Sequence, residues 1–202
     1  AENVKLSGAL HFKINPKVEL IAASFYGRAS TIITGDDRIA LRDFEIFQHK
    51  LELKHDNYFV RAYSTSQDSG ETFNIGKTGE SILEIAKPNE DWFSQYASLI
   101  GAGRTFDSAR ELADSSFPQG EFIERFQPGT VAFDSVRNIV IQSQEPELGA
   151  AIFDQSKLHH AETGIDIHKW DDFFESLQVG ANARLYDPES NGTIFTDSIG
   201  ND

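Results

Sequence analysis

The sequence predicts a mainly β protein whose antiparallel strands are interrupted by an α-helical insertion. Three observations carry this: several stretches alternate apolar and polar side chains, the connections between them alternate short and long, and the middle of the chain switches to helical spacing.

The first stretch is the cleanest. Val4, Leu6, Gly8, Leu10, Phe12 and Ile14 alternate with Lys5, Ser7, Ala9, His11 and Lys13. Successive strand residues face opposite sides, so one face is apolar and the other polar or small. Asn15-Pro16-Lys17 reads as a tight turn, and Val18 to Tyr26 as the returning strand. Arg28 to Arg38 reads as a longer polar connection. Ile39 to Lys54 is a long strand with Phe47, His49, Leu51 and Leu53 in one phase, but Phe44 and Ile46 in the other. That change of phase predicts a bulge or register change near Phe47. His55-Asp56-Asn57 is a second tight turn, followed by the strand Tyr58 to Thr65.

Residues 66–157 break the alternation. This segment holds 15 acidic and 7 basic residues. Asn89 is expected to cap one helix, with Glu90 and Asp91 in its first turn, where acids oppose the helix dipole. Trp92, Tyr96, Leu99 and Ile100 form its apolar stripe. Thr105 and Thr130 are expected to cap two more, with Phe106, Ala109 and Ala113 aligned on one and Phe133, Val136 and Val140 on the other.

Alternation resumes over Leu158 to Ile167 and again from Glu175 to Tyr186. In the latter, Leu177, Val179, Ala181, Ala183 and Leu185 oppose Gln178, Gly180, Asn182, Arg184 and Tyr186. The turn between these strands is expected at His168 to Asp172, around Trp170. A last short strand is expected at Thr193 to Thr196. Aromatics stand near strand ends: Phe25 and Tyr26, Tyr58 and Phe59, Phe173 and Phe174. Short turns at one end, long loops at the other and a lipid-type apolar face are features of transmembrane β-barrels.

Composition removes several function classes. The net charge is −14, from 32 acidic and 18 basic residues, and no basic patch occurs, which argues against nucleic acid. The absence of cysteine excludes disulfides, thiolate metal sites and a cysteine nucleophile. No run approaches the ~18 apolar residues of a membrane helix. The start does not read as a signal peptide. No methionine occurs, even at position 1, so the sequence is expected to be a processed product, an edited sequence or a piece of a longer chain.

No catalytic motif appears, and the chain is not expected to be an enzyme. His159, His160 and His168 do not suggest a shared ion, because adjacent strand residues point apart. Asp187-Pro188-Glu189-Ser190-Asn191-Gly192 faintly resembles a calcium loop, but Ser198 stands where the bidentate Glu is needed, so it reads as a turn. No metal or cofactor is expected. If the apolar faces meet lipid, Arg61, Gln178, Asn182 and Arg184 project inward. They would line a substrate path, contact a plug or simply solvate a lumen.

The runs KLSGALHFKINPKVELIA, LELKHDNYFVRAYSTSQDSGETFN and LQVGANARLYDPESNGTIFTDS, in this order, resemble the central barrel of TonB-dependent receptors of the Bacteroidetes type. So do Trp92-Phe93-Ser94-Gln95-Tyr96 and Lys157-Leu158-His159-His160-Ala161-Glu162. The resemblance spans nearly the whole chain and rests on the ordered set, not on one diagnostic motif. It implies part of a large outer-membrane barrel of about 22 strands around a plug. Residues 1–65 and 158–202 would supply barrel strands and 66–157 an extracellular loop. Implied partners are the rest of the barrel and plug, outer-membrane lipid, a surface lipoprotein, and TonB through other parts of the receptor. The imported nutrient is not specified. The competing expectation is a soluble β-rich binding domain with a helical insertion that recognises carbohydrate or protein.

Overall fold

The computed structural model describes residues 2–115, 125–171 and 174–196, with side chains described for all of these except 168–171 and 174–175. Among the described residues the protein is mainly β, with an antiparallel sheet of seven strands and four helices. The strands are β1 (Glu2–Asn15), β2 (Val18–Thr34), β3 (Arg38–His55), β4 (Tyr58–Asp68), β5 (Phe73–Asn74), β6 (Lys157–Asp171) and β7 (Phe174–Asp187). The helices α1 (Ile75–Ala86), α2 (Asn89–Gly101), α3 (Phe106–Ser115) and α4 (Val131–Gln142) all lie between β5 and β6. Sheet order is β1-β2-β3-β4-β6-β7, with the short β5 beside the start of β3. The sheet is not closed. The chain divides into two compact units, one of residues 1–31, 41–70 and 153–202, the other of 32–40 and 71–152.

In the sheet unit, pairing is long and regular. β1 pairs with β2 from Glu2↔Ser30 to Lys13↔Glu19, and Asn15 Oδ1 accepts from the Lys17 and Val18 amides at 2.9 and 3.0 Å to close the turn. β3 pairs with β4 without interruption from Glu45↔Asp68 to Lys54↔Phe59. The bulge or register change expected near Phe47 is therefore absent there. The irregular residue is Asp43, at φ +55, whose amide donates to Ser30 Oγ at 3.0 Å. The polar connection expected at Arg28 to Arg38 is instead mostly strand, with only Gly35-Asp36-Asp37 between β2 and β3. Thr31, Ile32, Ile33 and Thr34 are β-branched, and their stiff side chains favour the pleated backbone over a loop.

β4 and β6 are neighbours despite the insertion. They pair from Tyr58↔Ile165 to Ser66↔Lys157, and β6 pairs with β7 from Lys157↔Asp187 to His168↔Ser176. Beyond β4, Gly70 takes φ +58, and a Cβ there would collide with the Arg42 carbonyl, so glycine is required. β6 continues to Asp171. The turn expected at His168 to Asp172, around Trp170, is therefore strand as far as Asp171; residues 172–173 and the side chains of His168 and Phe174 lie outside the described residues. No strand forms at Thr193 to Thr196. That segment is a turn held by the fully buried Ser190, whose Oγ accepts from Phe195 N at 2.9 Å.

The helical unit has a small core. Ile82, Val140 and Ala150 pack with Phe126, Phe133 and Val136, and Ala40, Phe73 and Ile141 pack with Ile75. Thr130 caps α4 by accepting from Phe133 N at 3.2 Å, and Thr105 Oγ1 accepts from Ser108 N at 3.3 Å at the start of α3. Asn89 does not cap α2; it is the first helical residue, and Pro88 occupies the cap position. On α3, Ala109 and Ala113 are fully buried, but Phe106 is 74% exposed.

A polar junction ties α2 to α3. Trp92 Nε1 donates to Asp114 Oδ1 at 2.8 Å, and Arg125 pairs with the same oxygen at 3.0 Å. Lys87 is 2% exposed and donates from Nζ to the Ala113 carbonyl at 2.7 Å. Desolvation is the main cause that lowers its pKa; Asp91 and Asp114 oppose the shift and Arg125 adds to it.

Replacing Lys87 with Met should unpair the Ala113 carbonyl and lower stability by about 1–3 kcal/mol, measured by urea unfolding monitored at Trp92. The lowered pKa also sets a sign. Between the folded value and the ordinary 10.5, the unfolded chain binds more protons, so the contribution of Lys87 to stability rises with pH across that window. The Lys87→Met variant should lose this slope.

Candidate functional site

Cross-strand partners in an antiparallel sheet share a face, so the register assigns every side chain. One face carries Leu51, Val60, Ala62, Ala161, Ile165, Val179 and Leu185. The other carries Lys50, Glu52, Arg61, Tyr63, His160, Glu162, Asn182 and Arg184. On β3, β4 and β6, around the middle of the sheet, exposure follows these faces in the reverse of a globular core, while on β1 and β7 both faces are exposed. On β6, Lys157, His159, Ala161, Thr163 and Ile165 are exposed, whereas Leu158, His160, Glu162, Gly164 and Asp166 are buried or half-buried. Leu10, Phe12 and Leu185 are 78%, 65% and 64% exposed, while the Glu52 side chain is only 12% exposed.

The sheltered face is an ion-pair ladder. Lys50 Nζ donates to Glu52 Oε2 at 2.8 Å on β3. Glu52 stands opposite Arg61 of β4, and Arg61 forms an ion pair with Glu162 of β6. Asn182 of β7 stands opposite Glu162. Charge alternates across three strands, so a field that would be costly on a sheltered surface is locally neutralised.

Below the ladder, Gly164 and Gly180 face one another on β6 and β7. The Phe59 ring covers Gly164 so closely that a Cβ there would stand 2.7 Å from Cε1. Such a ring over a strand glycine restores the packing that the missing side chain forfeits. The Arg61 guanidinium lies 5.1 Å from the centre of the same ring, a cation–π distance. These groups, with Asp166 and Gln178, line an open concavity of about 550 Å³ toward the tight-turn end.

All four residues expected to face a lumen lie on this side. Arg61 and Gln178 border the same concavity; Asn182 and Arg184 are exposed along β7, opposite Glu162 and His160. Sequence reasoning missed Lys50, Glu52 and Glu162, although Glu162 shares the phase of the other sheltered β6 residues. It also missed His160, which is 6% exposed, packs edge-on against Tyr63 at 4.8 Å and has no hydrogen-bond partner for either ring nitrogen among the described residues. His159 lies on the opposite, exposed face.

Two substitutions test this arrangement. Arg61→Ala should cost about 1–2 kcal/mol, between the values for exposed and buried pairs, and Glu162→Gln in that background should recover part of it. Gly164→Ala should cost about 1–3 kcal/mol through overpacking, and much less when Phe59 is also Ala; denaturant unfolding of the four variants measures the coupling.

The geometry stands without relatives to interpret it: no known protein family, no curated protein and no solved structure matches the chain.

Proposed function

We propose that this chain is a barrel segment of a TonB-dependent outer-membrane receptor that imports a nutrient across the bacterial outer membrane. The observation that carries this reading is the inverted sheet, with its apolar face exposed and its ion-paired polar face sheltered. Leaving a large aliphatic side chain in water instead of burying it forgoes about 1.5–3 kcal/mol. Val4, Leu6, Leu10, Phe12, Leu51, Val60, Ile165, Val179 and Leu185 are all more than a third exposed. Together they forgo more than ~10 kcal/mol, as much as the whole stability of a typical domain. Lipid acyl chains remove that deficit; water does not.

In this reading the polar face lines the lumen, where Arg61, Gln178, Asn182 and Arg184 border the substrate path or contact the plug. The unpaired sides of β1 and β7 take further barrel strands, because open edges are not tolerated in hydrocarbon. Residues 66–157 form an extracellular loop domain available to a surface lipoprotein. Engagement of TonB falls to parts of the receptor outside these 202 residues. No described helix is long and apolar enough to cross a membrane.

Fractionation tests the proposal. The protein should sediment with outer membranes, resist an alkaline wash and be released by detergent. Leu10→Arg and Val179→Arg should each reduce insertion by about 2–4 kcal/mol, whereas Asn182→Arg on the lumen side should change it little. Recovery in buffer as a stable monomer would instead favour a soluble β-rich domain that binds carbohydrate or protein.

A further inference from the structure

We infer that the outer boundary of the bilayer crosses the exposed apolar face along a line through Tyr26, Phe47, Ser64 and His159, and that β2 and β3 run on beyond it into the external aqueous phase. This rests on the barrel reading and adds where, on these strands, lipid ends.

The line is visible in three layers of side chains. On the tight-turn side the face is apolar: Leu20 and Ala22 on β2, Leu51 and Leu53 on β3, Val60 and Ala62 on β4, Ala161 and Ile165 on β6. Next comes a layer of serine and histidine. Ser24 Oγ is hydrogen-bonded with His49 Nδ1 at 2.6 Å, His49 stands opposite Ser64, and Ser64 stands opposite His159. Beside it the Tyr26 and Phe47 rings pack at 4.8 Å between centroids. The third layer is charged. Arg28 pairs with Asp43 at 2.7 Å and lies 3.9 Å from Glu45, which accepts from the Tyr26 hydroxyl at 2.8 Å; Lys157 stands opposite Asp187. Apolar, then amphipathic, then charged is the order of a bilayer from hydrocarbon to headgroup to water.

Two further features fit lipid specifically. The exposed apolar run on β1, Val4 to Ile14, covers about 33 Å along the strand at ~3.3 Å per residue, which is ~25 Å of height at a barrel tilt near 40°. That matches the hydrocarbon thickness spanned by outer-membrane strands. The boundary also slips along the sheet. β1 stays apolar to Val4, in register with Arg28, whereas β4 and β6 stop at Ala62 and Ala161, in register with Leu51, and β7 runs one pair further, to Leu185 opposite His159. In a tilted sheet a line of constant depth must slip relative to the hydrogen-bonded rows. An apolar patch built for a protein partner has no reason to follow that slant.

The cysteine-free chain makes the test direct. Single cysteines are introduced at Leu10, Leu51, Ala161 and Val179 inside the band, at Ser64 and His159 on the line, and at Glu45 and Lys157 beyond it. The whole receptor that contains this segment is reconstituted into phosphatidylcholine vesicles, and each site is tested for reaction with a membrane-impermeant maleimide and, once labelled with a bimane fluorophore, for quenching by acyl-chain-brominated lipid. The four band sites should be quenched by bromine and react at least tenfold more slowly than Glu45→Cys and Lys157→Cys, with Ser64→Cys and His159→Cys intermediate. Bromine quenching at 45 and 157, or its loss at 51 and 161 while 10 and 179 remain quenched, would overturn the boundary and leave the barrel reading intact. Water-like reactivity at 10 and 179 as well would overturn both.

Discussion

Strand alternation with its apolar phase outward is the constraint on which the rest of this structure depends. Once Leu10, Leu51, Val60 and Val179 face out, the other phase must hold the sheet's polar groups at close quarters. Charges so placed must find partners, because a sheltered, unpaired carboxylate or guanidinium is far more costly than a surface one. Lys50, Glu52, Arg61 and Glu162 meet that demand in strict alternation of sign across three strands. Asn182 extends the row onto β7 without adding a charge.

The same constraint explains the glycines. A sheet face crowded with long side chains needs gaps, and Gly164 and Gly180 supply a paired one. Phe59 then fills half of it, and its ring becomes a platform for Arg61. The concavity that results is a by-product of local packing, yet it is also the place on the polar face where a ligand group could approach bare backbone.

The fold was partly legible in the sequence, in proportion to how local its determinants are. The run from Val4 to Ile14 and that from Leu177 to Leu185 declared their strands because each residue's phase is visible one neighbour away. Residues 28–38 did not: their charges and glycine resemble a loop, and the β-branched stretch Thr31 to Thr34 outweighed them. α1 was hidden by Gly76 and Gly79, each unfavourable by about 1 kcal/mol in a helix and overcome by the Asn74 cap and the burial of Ile82. For the site, period two placed Arg61, Gln178, Asn182 and Arg184 on one face. Their partners were out of reach, because pairing Arg61 with Glu162 depends on a register set across a hundred residues.

That separation has a kinetic side. The hairpins β1–β2, β2–β3 and β3–β4 close over turns of two or three residues. Pairing β4 with β6 closes the whole insertion, an entropic cost higher by about 3 kcal/mol for a flexible chain. The ends of the insertion are joined, however: Ile152 N donates to the Thr72 carbonyl at 2.8 Å, and Phe73 bridges Ala151. Once its helices have packed, the two ends of the segment already lie side by side, and β6 meets β4 as though joined by a short turn. With those ends held together, pairing β4 with β6 costs less chain entropy than the length of the insertion implies.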